Sequence, residues 1–183
     1  MFRLFTAIDF PDHIREQISS LFFGLPSAKW VKPEQIHLTL RFIGEVDGHV
    51  FRCIADELET VKAEPFSLTL KGVGHFPPKK KPRVLWIGIE HNEKLVALRN
   101  KVESALVRAG LEPEKRKFSP HITIARFKTP NVEKISRFIA GNNLFATESF
   151  EVNEFHLYSS TLTSDGALHI RESTYPLPLT SDT

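Results

Sequence analysis

The sequence predicts an α+β fold with two pseudo-equivalent lobes, in which two mostly antiparallel sheets line a central groove and helices lie outside. Three observations lead to this prediction. Strand and helix patterns alternate, and the same order occurs twice along the chain. Two segments have turn residues between strand patterns, and such hairpins join antiparallel strands. A short histidine motif also recurs after 84 residues (121 − 37), once in each half. The 183 residues fit one domain, residues 1–183.

The first half is predicted to form strand, helix, strand, helix and strand. Apolar residues alternate or run continuously in the strands, and they recur at helical spacing in the helices. Pro11 suits the start of the first helix, because proline is tolerated in a first helical turn. In order, the predicted elements are strand 2–8, helix 11–24, strand 36–44, helix 50–62 and strand 65–76.

The second half repeats this order from its opening strand onward. The predicted elements are strand 83–90, helix 92–109, strand 118–127, helix 132–141, strand 150–160 and a closing strand 167–177. The segments GVGHFPPKKKPRVLW and STLTSDGALH predict hairpins. No Gly/Ser-rich linker separates the halves, so we expect them to pack as one unit, with motif strands around 36–43 and 120–127.

The composition, 41% hydrophobic and 25% charged, is that of an ordinary globular protein. Cys53 is the one cysteine, which excludes an internal disulfide and a cysteine-rich zinc site and favours a cytoplasmic location. We expect neither export nor membrane insertion, since no stretch approaches the roughly 18 apolar residues of a membrane span. A net charge of +2 does not demand a nucleic-acid partner, although the clusters 79–83 and 115–117 are basic.

The histidine motifs read His37-Leu-Thr39-Leu and His121-Ile-Thr123-Ile. Side chains alternate between the two faces of a strand, so each histidine shares a face with its threonine while the aliphatic residues face the core. Cleavage of a phosphodiester needs one group that takes a proton from water and another that donates a proton to the leaving oxygen. Histidine suits both tasks near neutral pH, and threonine hydroxyls can donate to phosphoryl oxygens. The sequence therefore predicts a His/His acid–base pair.

The duplicated motif resembles that of the two-histidine (2H) phosphoesterase superfamily. HLTLRFIGE and PHITIARF most resemble the RNA 2′,3′-cyclic phosphodiesterases, historically called 2′-5′ RNA ligases, and the similarity covers nearly the whole chain. The resemblance implies hydrolysis of an RNA-terminal 2′,3′-cyclic phosphate to a 2′-phosphomonoester, without a metal or other cofactor. The partner would be RNA with a 2′,3′-cyclic phosphate end, and we expect a monomer.

The resemblance also implies roles for individual residues. His37 would donate a proton to the leaving 3′ oxygen, His121 would accept one from water, and Thr39 and Thr123 would hold the phosphate. Arg126 matches a phosphate-contacting arginine of the family. Strict alternation places Arg126 on the face opposite to His121, so it reaches the phosphate only if the strand bends or ends first.

Alternation also selects residues that the resemblance does not assign. It places Arg41 on the face of His37 and Thr39, as a second phosphate-binding arginine. It places Phe42 on the core face, and we expect Phe42 and Phe127 to pack rather than to stack on a base. His169 falls where relatives commonly have tyrosine after the Gly166 turn, which leaves a base-stacking role there open.

Several alternatives stay open. A zinc site is disfavoured because catalytic zinc normally takes three protein ligands, and no His-Glu-x-x-His segment is present. Within enzymes, the alternatives are hydrolysis of a small cyclic nucleotide or a 2′-5′ oligonucleotide, or reversible 2′-5′ RNA ligation. Outside enzymes, the alternative is an RNA-binding module without turnover. The basic clusters are interpreted either as solvated turns or as contacts to RNA phosphates.

Overall fold

The computed structural model describes residues 1–178, so residues 179–183 of the predicted single domain lie outside the described part. A 3₁₀ turn, Pro33–Gln35, precedes the first motif. The helices are α1 (Asp12–Ser19), α2 (Gly48–Glu59), α3 (Glu93–Arg108) and α4 (Val132–Gly141). The strands are β1 (Phe2–Ile8), β2 (Ala28–Trp30), β3 (Leu38–Val46), β4 (Phe66–Leu68), β5 (Leu70–Phe76), β6 (Val84–Ile89), β7 (Ile122–Phe127), β8 (Phe150–Val152), β9 (Glu154–Thr163) and β10 (Gly166–Pro176).

Most predicted elements are confirmed, with differences at their ends. The first helix ends at Ser19 rather than at Gly24. Gly24 has a φ of 81°, which is incompatible with a right-handed helix. The predicted strand 65–76 divides into β4 and β5, and strand 150–160 divides into β8 and β9. The short strand β2 has no counterpart in the prediction.

Three of the helices begin at side chains that accept hydrogen bonds from the backbone. Asp47, Asn92 and Asn131 each accept from the N–H three residues later, at 2.9–3.0 Å. Such caps satisfy N–H groups that have no partner within the helix, and each contributes about 1 kcal/mol. They set where α2, α3 and α4 start.

The strands form two four-stranded sheets and one two-stranded pair, all antiparallel in the described part of the chain. The first sheet has the order β10-β9-β1-β3, the second has β2-β7-β6-β5, and β4 pairs with β8. The order β9-β1-β3 in the first sheet corresponds to β5-β6-β7 in the second. The additional strand β10 lies beside β9, whereas the additional strand β2 lies beside β7. The α+β prediction is confirmed, but each sheet takes strands from both halves of the sequence.

One continuous apolar core joins the sheets and the helices. In α3, apolar residues at helical spacing are fully buried: Leu95, Leu98, Val102 and Leu106. Helix α3 packs against α2 and against β3. Truncating any of these leucines to alanine would cost about 2–5 kcal/mol, so α3 holds β3, the first motif strand, firmly.

Candidate active site

His37 lies between the 3₁₀ turn and β3. Its Nδ1 is 2.8 Å from the carbonyl oxygen of Gln35, and its Nε2 is 3.1 Å from Oγ1 of Thr39. A carbonyl oxygen only accepts hydrogen bonds, so Nδ1 carries the proton and donates it. In the neutral ring the lone pair of Nε2 then accepts the hydrogen bond from the hydroxyl of Thr39. Nε2 is therefore the atom that can exchange a proton with a bound molecule.

His121 is held in the same way, directly before β7. Its Nδ1 donates to the carbonyl oxygen of Ser119 at 2.7 Å, again two residues upstream. Both imidazoles are half-buried. The two motifs thus present two rings with the same tautomer, each with an unprotonated Nε2.

The aliphatic residues of the motifs anchor both strands, as predicted. Leu38, Leu40, Ile122 and Ile124 are each at most 2% exposed. Thr39 and Thr123 are half-buried on the opposite face, next to their histidines in the alternation. Each motif therefore offers an imidazole and a hydroxyl side by side.

A bulge in β7 changes the position predicted for Arg126. Thr123 pairs with Trp86 and Arg126 pairs with Val84, so three steps along β7 match two along β6. Trp86 and Val84 are two residues apart and point to the same face, and paired residues share a face. Arg126 therefore lies on the face of Thr123, which simple alternation does not give. It is exposed there.

An irregularity in β3 moves Arg41 off the face of its motif. The predicted position of Arg41 beside His37 and Thr39 is therefore wrong. Ala7 pairs with Thr39 while the adjacent Thr6 pairs with Arg41, which turns Arg41 away from the face of the motif.

The contacts of Arg41 agree with this reversal. Its Nε donates to Glu103 on α3 at 2.7 Å, and its two other nitrogens donate to the carbonyl oxygens of Phe42 and Glu112. With all three nitrogens engaged, Arg41 ties β3 to α3 and to the loop after α3.

The same irregularity exposes Phe42, which alternation had placed in the core. Phe42 is 48% exposed, and the guanidinium of Arg3 lies over its ring at 5.3 Å. Phe127 is 4% exposed and packs in the core, as predicted. Beside the second motif, the ring centroid of Phe76 lies 4.8 Å from that of His121 in an edge-on contact.

Aromatic rings enclose His37 more closely. Phe5 lies 4.9 Å from the His37 ring and stacks on Tyr158 at 5.3 Å. His169 meets His37 edge-on at 5.2 Å and also contacts Phe5. The sequence pattern does not indicate that Phe5 and Phe76 are neighbours of the histidines. Alternation assigns a face to a residue, but it does not say which strand becomes its neighbour.

Burial lowers the pKa of His37 from 6.5 to about 4. The carbonyl of Gln35 and the charge of Asp9 act the other way, and His169 adds to the lowering. Burial also lowers the pKa of His169. In the free protein at neutral pH, His37 is therefore an uncharged imidazole whose Nε2 can accept a proton.

A polar cluster around Asp9, directly after β1, holds Tyr158, which stacks on Phe5. Tyr158 donates from its hydroxyl to Asp9 at 2.5 Å, Arg171 also donates to Asp9, and Nε2 of His156 lies 3.6 Å from the same carboxylate oxygen. Burial, and then the bond to Asp9, raise the pKa of Tyr158 to about 12. Tyr158 therefore stays a neutral donor that is fixed against Phe5.

Two further features concern the described part of the chain as a whole. Residues 1–178 contain no group of three or more His, Cys, Asp or Glu side chains placed to hold a metal ion. Within the same residues, no helix combines the length and the apolar character needed to cross a membrane.

Comparison with known proteins gives a consistent picture. A family model described as the 2′-5′ RNA ligase superfamily matches residues 10–163. The RNA 2′,3′-cyclic phosphodiesterase of Archaeoglobus fulgidus is 37% identical over 175 residues, which cover 91% of this chain and 96% of that protein. The protein of the same name from Thermotoga maritima is 38% identical over 173 residues, with 91% of each covered.

Solved structures agree with the sequence comparison. The crystal structure of E. coli LigT complexed with 3′-AMP has a TM-score of 0.78 and 29% identity, and the match covers 96% of this chain and 98% of that one. A structure described as a phosphoesterase has a TM-score of 0.80 at 28% identity, over 96% and 98%. The family predicted from the two histidine motifs is confirmed: this chain belongs to the 2′-5′ RNA ligase superfamily.

Proposed function

We propose that this protein hydrolyses RNA-terminal 2′,3′-cyclic phosphates to 2′-phosphomonoesters by metal-independent acid–base catalysis with His37 and His121. One observation carries the proposal. Each imidazole is fixed through Nδ1 by the carbonyl two residues upstream, which leaves Nε2 for proton transfer, and each has a threonine hydroxyl two residues downstream. The names of the relatives, RNA 2′,3′-cyclic phosphodiesterase, support the same reaction.

In the proposed reaction, water attacks the phosphorus of the cyclic ester. Nε2 of His121 takes a proton from the water, and the protonated Nε2 of His37 gives one to the departing 3′ oxygen. The P–O3′ bond breaks as the new P–O bond forms, and a 2′-phosphate and a 3′ hydroxyl result. Thr39, Thr123 and Arg126 would bind the non-bridging oxygens, where negative charge increases in the transition state.

The lowered pKa of His37 bears on its role as the acid. A pKa of about 4 means that the ring is neutral in the free protein at pH 7. A bound anionic phosphate favours the charged imidazolium, because an opposite charge within about 4–6 Å raises the pKa of a histidine. His37 would therefore become protonated as substrate binds. Exchanged roles, with neutral His37 as the base, are the second arrangement that this observation supports.

The first experiment measures turnover of an oligoribonucleotide that ends in a 2′,3′-cyclic phosphate, with EDTA present. We expect conversion to the 2′-phosphomonoester, identified by ³¹P NMR, with kcat lowered about 10²–10⁴-fold in His37→Ala and in His121→Ala. His91→Ala, which changes an exposed histidine, is the matched control. Activity lost in EDTA and restored by zinc or manganese would overturn the metal-independent mechanism.

The same assay separates the other candidate functions. Binding of the oligonucleotide without turnover would identify an RNA-binding module. Faster turnover of a mononucleotide cyclic phosphate or a 2′-5′ dinucleotide would identify a small-nucleotide phosphodiesterase. A joined product from two RNA ends would identify 2′-5′ ligation. We propose a monomer as the active species, and sedimentation at the assay concentration tests this.

A further inference from the structure

Strand β2 places one lysine on the face of the second motif. Trp30 stacks on Phe22 with ring centroids 4.7 Å apart and also contacts Phe138, which fixes this side of β2 against the loop after α1 and against α4. Because neighbouring side chains alternate, Lys29 points to the opposite face. The direction of Lys29 therefore follows from the packing of Trp30.

Lys29 pairs directly with Arg126 across β2 and β7. Paired residues share a face, with Cβ atoms about 5 Å apart, so Lys29 lies on the same face as Arg126 and Thr123. Sheet order makes β2 the outer strand beside β7. Moving outward from the motif, the side chains are thus Thr123, Arg126 and then Lys29.

This pair brings two positive charges together. Both side chains are exposed, and within residues 1–178 neither forms an ion pair or a hydrogen bond with a carboxylate. Like charges directly opposite each other on neighbouring strands are destabilising. An anion bound between the two side chains attracts both of them and offsets this repulsion, so the pair favours a phosphate ligand.

Lys29 also reaches the other sheet. Its Nζ lies 3.9 Å from the position that a Cβ at Gly166 would take, at the turn between β9 and β10. Gly166 has a φ of 122°, a conformation that favours glycine. The strand that follows this turn carries His169, which contacts His37. Lys29 thus spans the space between the two motif-bearing sheets.

We infer that Lys29 is a specificity-determining residue that binds the phosphodiester one nucleotide before the cyclic end of the RNA. This inference rests on the proposed function. The reacting phosphate would bind to Thr39, Thr123 and Arg126. The next phosphate along the RNA would then contact Lys29 on β2, the β-strand beside β7. A lysine suits this contact, because its ammonium acts as a mobile point charge on a long stem. A mononucleotide cyclic phosphate has no such phosphate.

The experiment compares adenosine 2′,3′-cyclic phosphate with a tetraribonucleotide that ends in a 2′,3′-cyclic phosphate. The proteins are wild type, Lys29→Met, Lys29→Arg and the control Lys134→Met, which changes an exposed lysine of α4. Lys29→Met should lower the ratio of tetranucleotide to mononucleotide kcat/KM about tenfold, as for loss of one charged hydrogen bond. Lys29→Arg should keep most of the ratio, and Lys134→Met all of it. The salt dependence of log(kcat/KM) for the tetranucleotide should become shallower by about 0.7, the value for one single-strand phosphate contact.

Two results would overturn the inference. An equal loss on both substrates would place Lys29 at the reacting phosphate, and no loss on either would make it a solvated surface lysine. Equilibrium binding of 2′-AMP and of a tetranucleotide 2′-phosphate tests the same contact without turnover. If wild type turns over neither substrate but Lys29→Met still binds the tetranucleotide about tenfold more weakly, the proposed function fails while the phosphate contact stands.

Discussion

The protonation of His37 gives a prediction whose size follows from the structure. Its pKa is about 4 in the folded protein against 6.5 in an unfolded chain. Between these values the unfolded state binds the proton and the folded state does not. The free energy of unfolding therefore rises with pH in this window. The contribution is fully present above pH 6.5 and is lost as the pH falls towards 4.

The magnitude comes from the difference between the two pKa values. A difference of roughly 2.5 pH units corresponds to about 3 kcal/mol. His37 keeps partial solvent contact, which screens the charged form and reduces the expected effect to about 1–3 kcal/mol. His156 and His169 also have lowered pKa values and steepen the same slope, so the contribution of His37 has to be isolated as a difference between two proteins.

His37→Asn provides this difference. Asparagine can still donate from its amide nitrogen to the carbonyl of Gln35, but it does not titrate. Urea unfolding at several pH values between 4 and 7 should show wild type losing about 1–3 kcal/mol more than the variant as the pH falls. The exposed His91→Asn serves as the control. NMR of the His37 ring should place its pKa near 4, and a bound mononucleotide phosphate should raise it. Parallel stability curves, or a ring that titrates near 6.5, would refute the reasoning.

Three further predictions follow from the site. Thr39→Val and Thr123→Val should keep the fold and lower kcat about 10–1000-fold, since valine suits a strand but lacks the donor; unchanged turnover would mean that the threonines only pack. Arg41→Met should lower stability by about 1–3 kcal/mol in urea unfolding, because it removes the 2.7 Å ion pair with Glu103, while kcat of the folded protein stays the same; unchanged stability with a lowered kcat would indicate that Arg41 binds the phosphate. On a substrate with a good leaving group, His37→Ala should regain most of its rate and His121→Ala should not, because departure then needs no proton; rescue of the other variant would exchange the two roles.

The secondary-structure elements and the repeated histidine–threonine arrangement could be predicted from the sequence because both depend on local patterns. Helical spacing and strand alternation are properties of a few neighbouring residues, and helix α4 was predicted with the bounds that it has. The orientation of each histidine relative to its threonine also depends only on alternation over two residues. The anchoring of Leu38, Leu40, Ile122 and Ile124 follows for the same reason.

The arginines could not be placed in this way, because their position depends on how two strands pair. Each motif strand contains an irregularity just after its threonine, and one extra residue reverses the faces of the side chains that follow it directly. Arg41 and Arg126 therefore both lie on the face opposite to the one that alternation gives. Strand β5 of the first half joins the sheet of β6 and β7, and β9 of the second half joins the sheet of β1 and β3. This exchange likewise depends on contacts between distant parts of the chain. Periodicity carries no information about them.

The two irregularities also explain how a repeated scaffold can give two different histidines. Arg126 and Phe42 occupy equivalent positions in the two motifs, 84 residues apart, and each is turned to the face of its threonine. Beside His121 this face therefore carries a cation, and beside His37 it carries an aromatic ring. The ring of His37 is further enclosed by Phe5 and His169, which favours its neutral form. The equivalent backbone positions therefore supply the same ring orientation to both histidines, whereas the unequal neighbours give each ring its own surroundings.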